Sequence, residues 1–202
     1  MIHPTPSTKT TRSAPAKTRT PALRSIEALG EEVQHCRACS LWKNATQAVF
    51  GEGSSTARIV LIGEQPGDRE DLTGKPFVGP AGKLLDRALQ AAGVGRTATY
   101  VTNAVKHFKF EPRGKRRIHK KPNEQEISIC QQHWLDNELR LIAPELVVAM
   151  GVTAARAVFG RATAIGKNRG HVIKDKELAS EVTADVIVTV HPSYLLRVPD
   201  ED

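Results

Sequence analysis

Residues 57–67 read Ala57-Arg-Ile-Val-Leu-Ile-Gly63-Glu-Gln-Pro-Gly67, a short apolar run rich in β-branched residues that stops at a glycine-bounded polar turn. The run lacks the alternation of a half-exposed strand, so it reads as a strand buried on both faces. Three further runs share this character, at residues 99–105, 146–151 and 185–190. Amphipathic helical stretches separate them, at residues 81–92, 124–142 and, shorter, 152–159. Buried strands alternating with helices predict a three-layer α/β/α sandwich around a four-stranded parallel sheet.

Each run leads into polar residues. Glu64, Gln65 and Asp68 follow the first, Asn103 and His107 end the second, Gly151 and Thr153 follow the third, and His191-Pro-Ser193 follows the fourth. Ligands of open α/β sheets bind at the carboxyl ends of strands, so the four segments are expected to line one cleft.

The chain has 202 residues, enough for one α/β domain, and a formal net charge of +7. That charge suits a polyanion, because each Lys or Arg that neutralises a phosphate releases a condensed counterion. No apolar run approaches the ~20 residues of a membrane span, and no signal-peptide core is present, so a soluble, cytoplasmic protein is expected. Residues 1–22 are rich in Pro, Thr, Ser and Ala, contain Lys9, Arg12, Lys17 and Arg19, and lack acids. They read as a disordered basic tail that touches DNA loosely. Their composition also resembles a transit peptide, but without an amphipathic stripe. Residues 23–202 read as the domain, opened by a helical pattern of Leu23, Ile26, Leu29 and Val33.

The three cysteines, Cys36, Cys39 and Cys130, are odd in number in a chain without a secretory signal, which argues against a disulfide framework and for metal or reactive thiols. Cys36-x-x-Cys39 lets two thiolates grip one ion or cluster, and Cys130 lies early in the long helix. His107 is the best fourth donor, although a polar histidine near a strand end is also ordinary. Spacing does not distinguish zinc from iron–sulfur.

The stretch Gly74-Lys-Pro-Phe-Val-Gly-Pro-Ala-Gly-Lys83 looks like a phosphate loop but fails that pattern, with Phe77 where a glycine is needed and Leu84 after Lys83. It offers a rigid turn presenting Phe77, able to stack on a flat base, then a helix opening at Pro80 or Ala81. Residues 113–121, Arg113-Gly-Lys-Arg-Arg-Ile-His-Lys-Lys121, hold six basic residues and a histidine in nine positions. Such a run is usually a solvated face. Following Asn103 and His107 so closely, it is expected as a basic loop at the mouth of the cleft, holding a phosphate backbone.

Together these segments resemble the uracil-DNA glycosylase superfamily, most closely its iron–sulfur group. The resemblance rests on Cys36-x-x-Cys39, the Gly63-Glu-Gln-Pro-Gly67 turn, Gly74-x-Pro-Phe-Val-Gly-x-x-Gly82, Val101-Thr-Asn103 and His191-Pro-Ser193, and it covers about residues 30–198. Three features depart from the thermostable-type pattern: Gln65 in place of an alanine, His107 in place of a cysteine, and the insertion Lys115-Arg-Arg-Ile-His119. All three look like the branch called UdgX, in which a histidine of the inserted loop bonds to the deoxyribose after uracil leaves.

The resemblance implies a 4Fe–4S cluster on Cys36, Cys39, His107 and Cys130, and His119 as the nucleophile. It implies Phe77 and Asn103 as uracil contacts in a pocket with Gly63 and Asp68, His191 as a donor to uracil O2, and Glu64 and Gln65 assisting at the sugar. Lys115, Arg116, Arg117 and Arg197 would meet phosphate, while Ser193, Tyr194 and Leu195 would enter the helix behind the flipped nucleotide. The implied partner is uracil-containing DNA, single-stranded and by extension double-stranded, met by a monomer working on the nucleoid. Two other readings remain open: a turnover glycosylase in which His119 only contacts DNA, and a non-catalytic, metal-stapled nucleic-acid-binding module.

Overall fold

The structure is a computed structural model that describes residues 25–198; the basic tail at residues 1–22 lies outside the described residues. The chain forms β1 (Glu52–Gly53), β2 (Ile59–Gly63), β3 (Thr99–Asn103), a hairpin of β4 (Phe110–Arg113) and β5 (Arg116–His119), then β6 (Leu146–Met150), β7 (Val172–Glu177) and β8 (Thr183–Thr189). The main sheet is six-stranded and mixed, in the order β1-β3-β2-β6-β8-β7. The four expected strands are its parallel centre, in the order β3-β2-β6-β8. The expectation of a purely parallel four-stranded sheet is corrected at the edges, where β1 and β7 pair antiparallel to β3 and β8. Both edge strands are polar and largely exposed, so neither carries the apolar run that marks a buried strand.

Helices cover both faces. Strand residues alternate between them: Val60, Ile62, Tyr100, Val147 and Val186 join one apolar cluster, while Leu61, Val101 and Met150 join the other. The larger cluster is closed by α1 (Ile26–Glu32), by the long helical stretch after Asn123, and by α6 (Val152–Phe159). The smaller is closed by α3 (Pro80–Ala91) through Leu85 and Leu89, together with Phe77.

Local sequence explains the helix starts. Pro80 occupies the first turn of α3, where its missing N–H costs nothing. Asn123 and Glu126 form a reciprocal capping box at the start of α4 (Glu124–Cys130). The helix expected over residues 124–142 is present, but a π-helical turn at Gln131–Leu135 divides α4 from α5 (Asp136–Ile142). Among the described residues no helix is long and apolar enough to cross a membrane.

The parallel register aligns Gly63 with Asn103 and Met150 with Thr189, so the central strands end at one level. Beyond β2 and β3 the pairing continues, with Ala104 donating to the Gly63 carbonyl and Val105 to that of Glu64, each at 3.0 Å. Two short helices complete this end: α2 (Asp68–Thr73) after the β2 turn and α8 (Pro192–Leu195) after β8.

Candidate active site

Phe77 sits in the loop before α3 with φ +55°, a left-handed conformation that a bulky residue adopts only when its surroundings impose it. Two neighbours impose it. A Cβ on Gly82 would stand 1.7 Å from the Phe77 carbonyl oxygen, so only glycine lets α3 approach this closely. The buried Glu70 carboxylate accepts the Gly79 N–H at 2.8 Å and ties the loop to α2. Glu70 had no signal in the sequence, where it is one acid among several in a helical turn.

The Phe77 ring is buried, with its centroid 5.9 Å from that of His191. Facing it is Asn103, 2% exposed, whose Oδ1 has no hydrogen-bond partner. Gly63 makes room for both: a Cβ there would lie 2.4 Å from Asn103 Oδ1 and 2.5 Å from Phe77 Cζ. An orphaned buried carbonyl oxygen is costly, and in the wall of a pocket it offers an acceptor to whatever donor enters.

His191 caps α8 through Nδ1, which accepts the Ser193 N–H at 3.2 Å and lies 2.9 Å from Ser193 Oγ. An Nδ1 that accepts leaves the proton on Nε2, so the neutral ring is a donor. Burial lowers the His191 pKa; Glu64 opposes this, and His119 and Arg197 reinforce it. Phe77, Asn103, His191 and His119 line a cavity of about 420 Å³. A second cavity of about 650 Å³ adjoins it across His119, Gln65 and His191, and extends to Tyr194 and Arg197.

Glu64 lines the second cavity beside His119. Thr153 Oγ1 donates to Glu64 Oε2 at 2.5 Å, and His119 Nε2 lies 3.4 Å from Glu64 Oε1. The half-exposed His119 ring has a pKa below that of an ordinary histidine, because partial burial, aided by Arg197, outweighs the pull of Glu64.

The basic segment departs from expectation. Instead of a loop it is the β4–β5 hairpin, turning at Gly114 and Lys115 and pairing Phe110 with His119. Lys115 and Arg116 point outward and are exposed. Arg117, expected on phosphate, turns inward: its Nε donates to Asp68 Oδ1 and its Nη1 to Asp71 Oδ2, each at 2.6 Å. The guanidinium also lies 5.5 Å and 5.1 Å from the ring centroids of Phe108 and Phe110. Asp68, expected in the pocket, lines it while holding Arg117.

Gln65 likewise faces the hairpin. Its Nε2 donates to the carbonyls of Lys109 and Lys120 at 3.1 and 3.2 Å, and its Oε1 accepts the Lys109 N–H at 3.2 Å. The side-chain amide expected to assist at the sugar is thus committed to clamping the base of the hairpin, which orients His119. Tyr194 and Leu195 are exposed on α8, and Ser193 is engaged with His191.

Cys36, Cys130 and His107 are buried and Cys39 is partly so. The thiols feel one another: burial, chiefly, together with Cys36 raises the Cys39 pKa, and burial with both other cysteines pushes Cys130 up to about 12. Burial and Arg37 lower His107 to about 4, leaving a neutral imidazole with a lone pair for a metal. Trp134 Nε1 donates to Cys36 Sγ and the Lys106 N–H to Cys130 Sγ, both at 3.2 Å. Donors aimed at sulfur suit thiolates bound to a cluster. Among the described residues no group of three or more His, Cys, Asp and Glu side chains is arranged to hold a single metal ion.

The sheet and its cleft define an α/β protein whose pocket is walled on one side by an aromatic ring, Phe77, and on another by a buried amide, Asn103. Residues 50–202 match the family model described as the uracil DNA glycosylase superfamily. The type-4 uracil-DNA glycosylase of Thermotoga maritima is 41% identical over 173 residues, covering 85% of this chain and 83% of that protein. Those of Sulfurisphaera tokodaii and Archaeoglobus fulgidus are 36% and 35% identical, over 88% of this chain and 79% and 86% of theirs. The chain belongs to the uracil DNA glycosylase superfamily.

Proposed function

We propose that this protein excises uracil from DNA and then bonds, through His119, to C1′ of the deoxyribose left behind. The observation that carries this reading is the His119 ring on the wall between the two cavities, its Nε2 3.4 Å from the Glu64 carboxylate.

The base enters the inner cavity and stacks on Phe77. Asn103 Oδ1, lacking any partner in the protein, accepts from uracil N3–H, and the same amide donates to O4. Cytosine reverses both contacts, with an acceptor at N3 and a donor at N4, so it leaves two buried mismatches. As the glycosidic bond breaks, its electron pair goes to uracil, and His191 Nε2–H meets the growing charge at O2. C1′ becomes cationic beside the Glu64 carboxylate. A neutral His119 gives C1′ a lone pair, and Glu64 takes the ring proton that the new bond makes acidic. A nucleophile already within reach outcompetes water by effective concentration. Lys115, Arg116 and Arg197 meet phosphates, and Tyr194 and Leu195 fill the gap behind the flipped nucleotide.

Cys36, Cys39, His107 and Cys130 would hold a 4Fe–4S cluster, which when bound staples the N-terminal segment to the domain.

The test is denaturing electrophoresis and intact mass after mixing with a uracil-containing oligonucleotide. The expected result is a stable shifted band whose mass equals protein plus uracil-free DNA. His119→Ala and His119→Gln should lose the band and gain turnover, releasing an abasic site that alkali cleaves. A parent that releases abasic product with no band would overturn the covalent step, and so would a band that survives loss of His119.

A further inference from the structure

Beneath the pocket lies a polar cluster that the chemistry above does not use. Lys106 and Glu138 form an ion pair with both side chains 0% exposed. The ammonium has three protons and three acceptors: Glu138 Oε2, Thr102 Oγ1 at 2.7 Å and the Asn103 carbonyl at 2.8 Å. Glu138 Oε1 in turn accepts from Tyr100 Oη at 2.8 Å and from Thr102 Oγ1 at 3.0 Å.

Stability does not explain such a pair, since two well-packed apolar side chains of similar volume commonly do as well. Its connections offer a better account. Asn103 Oδ1 has no hydrogen bond of its own, so the aim of that amide depends on the backbone that carries it. Lys106 folds back over three residues to grip that backbone at the Asn103 carbonyl. The same residue donates its N–H to Cys130 Sγ and accepts the Val49 N–H at its carbonyl, 2.8 Å away. One lysine therefore joins the strand end that presents Asn103 to the thiol-bearing segment and to the chain that follows Cys39.

We propose that Lys106, neutralised by Glu138, is a positioning residue that sets the aim of the Asn103 amide on uracil. The inference rests on the reading of Asn103 as the uracil contact.

The experiment replaces the pair together, Lys106→Met with Glu138→Leu, so that no lone charge stays buried. Melting temperature and iron content report folding, single-turnover excision reports chemistry, and inhibition by free uracil reports base binding. An amide displaced by ~1 Å should slow excision by about 10²-fold. Free uracil should inhibit correspondingly less, at parental iron content. A merely structural pair would shift melting alone, so parental excision and uracil inhibition in the folded variant would overturn the proposal. If the double variant does not fold, Thr102→Val, which removes one ammonium acceptor and keeps the ion pair, carries the same test with a smaller expected loss. Asn103→Asp, run alongside, separates the two failures. If it excises normally, the reading of Asn103 falls and the inference with it; if it is impaired while the pair variant is not, only the inference falls.

Discussion

Gly63→Ala tests the pocket with one methyl group. Its Cβ would lie 2.5 Å from Phe77 Cζ and 2.4 Å from Asn103 Oδ1. Comfortable carbon–carbon separation is about 3.5–4.0 Å, so the ring must retreat by roughly 1 Å or more. Phe77 has little room to do so, because Gly82 and Glu70 fix its backbone. The amide must swing away as well. Misplacement of this size costs about 10²-fold in rate, and here both groups assigned to the base move at once. The stability cost is smaller: overpacking costs about 1–3 kcal/mol. For a chain of this size that is a melting point lower by roughly 2–12 °C. The assay is single-turnover excision from a uracil oligonucleotide with enzyme in excess, alongside thermal melting. A folded Gly63→Ala protein that excises within a few-fold of the parent would show that Phe77 and Asn103 do not jointly hold the base.

Asn103→Asp should lower excision and weaken discrimination against cytosine, since a carboxylate offers no donor to O4; excision equal to the parent would remove Asn103 from recognition. The pH profile of adduct formation follows from His119, whose pKa lies below the ordinary 6.5. Only the neutral ring has a lone pair, so the rate falls as pH drops, with its half-point below 6.5 rather than at it. A half-point at or above that value would point to a different nucleophile or to a histidine that Glu64 charges. The purified protein should be brown with broad visible absorption, and chelation of its iron should lower its melting temperature; a colourless protein holding one zinc would replace the cluster with a structural ion.

What the sequence carried was local. The central strands were legible because each is a short, mostly apolar run rich in β-branched residues, and the residues after them were legible because strand ends converge. Edge strand β7 was not, since Val172-Ile-Lys-Asp-Lys-Glu177 is mostly polar, pairs only with β8 and packs on the core through Ile173. The hairpin had a visible turn glycine at Gly114, but the density of charge around it suggested a basic loop at the mouth of the cleft. Long-range pairing was harder still. Neither the carboxylates that claim Arg117 nor the carbonyls that claim Gln65 are neighbours in sequence, so both residues read as free. Lys106 and Glu138, 32 residues apart, gave no hint of each other. The π-turn after Cys130 was invisible for a different reason: its apolar spacing fits an ordinary helix.

The attachment of the β4–β5 hairpin also bears on engineering. It is a separate two-stranded sheet, joined to the domain at its base by the Gln65 amide and along one face by Arg117 on Asp68 and Asp71. Most of its anchors occupy the turn after β2 and the first helix beyond it, a contiguous stretch of nine residues from Gly63 to Asp71, and Thr46 Oγ1 accepts a further bond from Arg117 Nη1 at 3.3 Å. The histidine-bearing insert, this stretch and Thr46 therefore form a cassette of three pieces. Grafted alone onto a relative with alanine in the turn, the hairpin would arrive without its clamp and leave its histidine unaimed.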